Sequence, residues 1–99
     1  MSRKPETTLV GKITTWLIAQ GGWWVKVHGS PFQRAGIPDI IGCYEGRFIG
    51  IEVKCPGNGP TMIQDHTMKL LKKVGARVGV AYNVQEALDI RDGRRLYDE

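Results

Sequence analysis

Residues 36–54, Gly-Ile-Pro-Asp-Ile-Ile-Gly-Cys-Tyr-Glu-Gly-Arg-Phe-Ile-Gly-Ile-Glu-Val-Lys, constrain this chain more than any other stretch. Two apolar runs, 37–44 and 48–53, flank Glu45-Gly46, a pattern that reads as a β-hairpin with a tight turn. A two-residue turn pairs Tyr44 with Arg47. Counting back, Cys43 faces Phe48, Ile41 faces Gly50 and Asp39 faces Glu52. Cross-strand partners share a face, and side chains alternate with period two. Asp39, Glu52 and Lys54 are therefore expected on one face, with Ile49, Ile51 and Val53 on the other. A slip of one residue would break the set.

Two neighbouring carboxylates repel, and a divalent cation with hard oxygen ligands resolves that repulsion. A lysine two residues on can hold a water or a phosphate oxygen beside the cation. Carboxylates, cation and lysine together suit phosphodiester hydrolysis. The alternative is a hairpin whose Asp39 caps a turn and whose Glu52 and Lys54 form a solvated face.

Pro38-Asp39 followed by Glu52-Val53-Lys54 resembles the signature of the PD-(D/E)XK nucleases. The flanks, Gly36-Ile37-Pro38-Asp39, Gln64 on the next helix and Gly75-Ala76 before the next strand, resemble its VRR-Nuc branch over residues 6–82. The resemblance implies Mg²⁺ or Mn²⁺ held by Glu6, Asp39, Glu52 and the Val53 carbonyl. It implies Lys54 as the group that orients the attacking water, with Gln64 reaching towards the site. Some relatives carry a tyrosine four residues after that glutamine, where this chain has Met68.

Ninety-nine residues make one domain, 1–99, with a modest core. No run approaches the ~20 apolar residues of a membrane span. Residues 1–6 precede no signal-peptide core, so a cytoplasmic protein is expected. Cys43 and Cys55 lie far apart in the proposed register, which argues against a disulfide, and no His or Cys cluster suggests zinc. The net charge is +4, and up to Gln85 there are eleven basic residues against five acidic ones. Such a field favours a polyanion, although mere solubility accounts for it equally well. Candidate backbone contacts are Lys26, Arg34, Lys69, Lys72 and Lys73.

The remaining chain supplies the frame. Residues 4–20 read as a helix with Pro5 in the first turn, an apolar stripe of Leu9, Val10, Ile13, Trp16 and Leu17, and Gly21-Gly22 as its stop. Glu6 lies on that stripe, either serving the helix dipole or, as the resemblance implies, joining the metal site. Residues 23–28 alternate as a strand, with Trp23, Val25 and Val27 opposite Trp24, Lys26 and His28. His28 reads as an exposed strand-end residue, with a catalytic or phosphate-binding role as the alternative. Loop 29–36, with Ser30, Gln33 and Arg34, delivers Asp39, and loop 55–60 borders the site. Thr61-x-x-Gln64 is a capping box for a second helix whose inward side is expected to be Ile63, Leu70, Leu71 and Val74. Residues 77–82 form a fourth strand, Asn83 caps a last helix with Glu86, and the tail 94–99 is expected to be loose.

The expected fold is α/β in the order αβββαβα, a mixed four-stranded sheet flanked by helices, with a parallel crossover into the last strand. The resemblance implies a metal-dependent endonuclease acting on DNA. Stand-alone relatives are similar to phage-type Holliday-junction resolvases, which suggests a homodimer cutting paired strands of a four-way junction. The alternatives are a flap or nicking nuclease, and a non-catalytic nucleic-acid-binding module of the same fold.

Overall fold

The pairing expected around Glu45-Gly46 is realised from Tyr44–Arg47 back to Ile40–Ile51, one step short of Asp39 and Glu52. In the computed structural model, which describes residues 5–28 and 34–99, the chain runs α1 (Pro5–Ala19), β1 (Trp23–Lys26), β2 (Ile40–Tyr44), β3 (Arg47–Val53), α2 (Met62–Lys73), β4 (Arg77–Ala81) and α3 (Val84–Arg91). Tyr44 opposes Arg47, Cys43 opposes Phe48 and Ile41 opposes Gly50. Glu45 and Gly46 hold φ values of 51° and 78°, the doubly positive pattern that matches strand twist in a two-residue hairpin. The sheet order is β1-β2-β3-β4, with β3 and β4 parallel and the other pairs antiparallel. A right-handed crossover through α2 is the usual way to join such a parallel pair. Ser30, Gln33 and the residues before Pro5 lie outside the described residues. Among the described residues no helix is long and apolar enough to cross a membrane.

One face of the sheet is closed. Ile40, Ile49, Ile51, Val53 and Ala81 meet Ile13 and Leu17 of α1 and Ala87 and Ile90 of α3, all fully buried. Trp24 completes this core, and its indole N–H donates to the Gly21 carbonyl at 2.9 Å. The expected stripe on α1 needs one correction. Trp16 is 49% exposed, and Thr14 is buried instead, its hydroxyl donating to the Val10 carbonyl at 2.7 Å. Steps of about 100° per residue place the buried arc Ile13–Leu17–Thr14 on one side and leave Trp16 at its rim.

The other face is half covered. Thr61 and Gln64 form the expected capping box, and α2 packs beside β4 through Met68. Of the four side chains expected inward, only Leu71 packs on that core. Ile63, Leu70 and Val74 are exposed. Leu70 lies about 200° round the helix from Met68, so the conspicuous apolar stripe points away from the contact that anchors the helix.

The tail is not loose, and this explains the rotation. Tyr97 N–H donates to the Val78 carbonyl at 3.1 Å, the Tyr97 hydroxyl bonds Asp65, and Lys72 Nζ donates to the Tyr97 carbonyl at 2.6 Å. Tyr97 packs against the Met68–Val78–Val80 cluster and takes a place the sequence stripe seemed to reserve for α2. Tail polarity had pointed to solvent, but one aromatic ring with two polar anchors outweighs it.

Candidate functional site

Asp39 enters the site from the bend just before β2. Its backbone carbonyl accepts from Val27 N–H at 2.8 Å, and its Oδ2 accepts from Val53 N–H at 2.8 Å. Main chain and side chain thus tie it to the strands on either side. Pro38, fully buried, lies over Gly50. A Cβ at Gly50 would come within 3.0 Å of the Pro38 ring and 3.2 Å of Val78, so a bare backbone there lets the Pro38-Asp39 step sit down on the sheet.

Glu52 lies one register step beyond the Ile40–Ile51 pair and opposes Val80 of β4. It is 1% exposed, and its Oε2 has no hydrogen-bond partner among the described residues. An orphaned buried carboxylate oxygen is costly and calls for an explanation. Burial pushes the Glu52 carboxyl up to about 9, helped by a hydrogen bond to Asp39 and by the charges of Asp39 and Glu6, and opposed by Lys54. At neutral pH and without a cation, Glu52 therefore holds a proton. Lys54 is half-buried, its N–H donating to the Ala81 carbonyl at 3.1 Å.

The other sequence candidates divide. Glu6 is half-buried near the start of α1 and reaches Glu52 as a charge. Among the described residues no three His, Cys, Asp or Glu side chains group closely enough to hold a metal ion, so Asp39 and Glu52 stand as a pair. Gln64 is half-buried, and its side-chain oxygen accepts from Thr61 N–H at 2.9 Å, so it is held by its capping role. Lys69 bonds Asp65 at 3.0 Å, and Lys72 bonds Glu99 at 2.7 Å. Lys26, Arg34 and Lys73 are exposed and make no salt bridge among the described residues. One contact escaped the sequence reading. The Tyr82 hydroxyl donates to the Asn58 carbonyl at 2.7 Å, pinning loop 55–60 beside Lys54. A tyrosine ending β4 gave no signal for it.

These elements make up an α/β fold, a four-stranded mixed sheet flanked by three helices. More particularly, the chain is similar to a solved structure described as "VRR_NUC domain", with a TM-score of 0.74 and 21% identity over 94% of this chain and 100% of that one. The chain has the VRR-Nuc fold. No family model matches the sequence, and no curated protein does.

Proposed function

We propose that the chain is a VRR-Nuc nuclease, a metal-dependent endonuclease that hydrolyses phosphodiester bonds in branched DNA, with the four-way junction as its preferred form. The observation that carries this reading is the orphaned Glu52 Oε2 beside Asp39, with the Lys54 charge acting on the same carboxyl. The donor set fits Mg²⁺ or Mn²⁺: two carboxylates, one with an oxygen that has no partner, and the Val53 carbonyl, with Glu6 adding charge from α1. When bound, such an ion supplies Lewis-acid stabilisation of the charge that develops on the phosphate. Asp39 and Glu52 hold it, Glu52 giving up its proton. Lys54 orients the attacking water and stabilises the growing negative charge on the phosphate oxygens. Gln64 helps to position water or phosphate once its cap bond is released. Arg34, Lys26 and Lys73, with Lys69 and Lys72 when freed from their partners, hold the backbone.

A twofold homodimer matches the paired cuts of a junction. The half-open face supports it. Trp23 is 63% exposed, Phe48 and Leu70 are exposed, and a groove of about 350 Å³ runs between Ile37, Pro38 and Ile41 on one side and Leu70 and Val74 on the other. Trp24 drops out of that surface because it is buried.

The decisive assay offers junction, flap, duplex and single-stranded DNA with Mg²⁺, Mn²⁺ and EDTA. Cleavage that needs the metal, is strongest on the junction and vanishes in Asp39→Asn supports the proposal. Equal cutting in EDTA, or full activity in Asp39→Asn, overturns it. Preference for the flap would replace the junction with the flap alternative.

A further inference from the structure

Trp16 and Gly11 are left without a structural task. Trp16 stands out from the middle of α1, and a Cβ added at Gly11 would meet nothing within 4 Å. Glycine inside a helix weakens it, so packing gives no reason for one here. Both line a groove of about 440 Å³ between α1 and the end of β1, together with Thr7, Lys12, Thr15 and Lys26. This groove shares Thr7 and Lys26 with a second cavity of about 220 Å³ that runs on past His28 to Asp39. The two make one path from the exposed indole to Asp39.

We propose that this path is a binding track for a single-stranded DNA arm, such as a strand left unpaired at the branch of the substrate, a reading that rests on the nuclease function proposed above. Lys12 and Lys26 are exposed and have no salt bridge among the described residues, and no acid lines the path before Asp39. That lining suits a polyanion. Lys12 and Trp16 are one helical turn apart on the same face, about 5–6 Å between Cβ atoms. A base stacked on the indole therefore has its phosphate within reach of the Lys12 ammonium. Exposed aromatics beside lysines are how single strands are held without sequence preference. The missing side chain at Gly11 lets the strand lie against the helix, and Lys26 passes the next phosphate towards Asp39. Within a duplex both faces of each base are stacked on neighbours, so the track selects a single strand over paired DNA.

The test measures binding of a fluorescently labelled single-stranded oligodeoxynucleotide to the whole chain in EDTA, by anisotropy. Trp16→Ala should weaken binding about tenfold. Gly11→Gln should weaken it similarly while leaving the melting temperature unchanged or higher, because its side chain fills the groove and improves the helix. Lys12→Gln and Lys26→Gln should each reduce the slope of log affinity against log salt by about 0.7. Blunt duplex should bind Trp16→Ala and Gly11→Gln as it binds the wild type. Single-strand binding unaltered in both Trp16→Ala and Gly11→Gln would overturn the track. Because cleavage plays no part in this measurement, a wild type that holds the arm through Trp16 yet cuts nothing would keep the track and remove the hydrolysis.

Discussion

The two faces of strand β3 differ in what they ask of each residue. Ile49, Ile51 and Val53 belong to a closed apolar core completed by α1 and α3. Phe48, Gly50, Glu52 and Lys54 point to a face that α2 and the tail cover only over β4. On the first face each side chain stabilises the fold. On the second, Glu52 is buried against its own chemistry, Gly50 yields its side chain to Pro38, and Phe48 stays in water. A sheet can carry such a face because the opposite one holds the strands in place.

The comparison can be broken at the acid first. Glu52→Gln, Asp39→Asn and Lys54→Ala should each lower cleavage by at least about a hundredfold, the scale of losing a preorganised charge contact. Circular dichroism should show the same fold. Ile51→Ala, one residue from Glu52, should instead destabilise by about 2–5 kcal/mol through a cavity in the closed core, read by urea unfolding.

Proton linkage sharpens the contrast. The folded carboxyl of Glu52 is raised from 4.5 to about 9, so between those values the native state binds the extra proton. Metal-free stability should therefore fall as pH rises through that window, by at most about 1.4 kcal/mol per pH unit. Glu52→Gln should flatten the dependence and be the more stable protein at neutral pH. Added Mg²⁺ should stabilise the wild type more at pH 8 than at pH 6, because binding must displace that proton.

Smaller effects belong to the half-open face and the turn. Val74, 81% exposed, should tolerate Val74→Glu within about 0.5 kcal/mol of monomer stability. The same change should shift sedimentation from dimer to monomer. A wild type that sediments only as monomer, with and without junction DNA, removes the dimer. Glu45→Gly relieves a non-glycine residue at φ 51° and should change the stability least, raising it by less than about 1 kcal/mol, with activity intact.

The sequence was most informative where geometry is local. The turn at Glu45-Gly46 dictates the register as far as Ile40–Ile51, and just beyond it Asp39 and Lys54 act on Glu52 as charges. The cap at Thr61 with Gln64 was equally readable, being a contact between residues three apart. Legibility ended where partners come from afar. The stripe of α2 could not reveal that Tyr97 would claim the ground beside Met68. Trp16 looked like core because periodicity gives a helix face only to within a residue or so. The approach of Glu6 to Glu52 depends on how α1 lies across the sheet, which no spacing within the helix encodes.

The hairpin has a further consequence in time. Its pairings span few residues, and hairpins close in about 1–10 μs, whereas the parallel union of β3 with β4 must wait for the α2 crossover. Asp39 and Glu52 therefore meet early, while Glu52 is still hydrated and ionised. The proton enters only when β4 docks and Val80 closes over its strand. If that docking follows the rate-limiting step, raising the pH from 6 to 8 without metal should leave the refolding limb of a chevron in place and speed the unfolding limb.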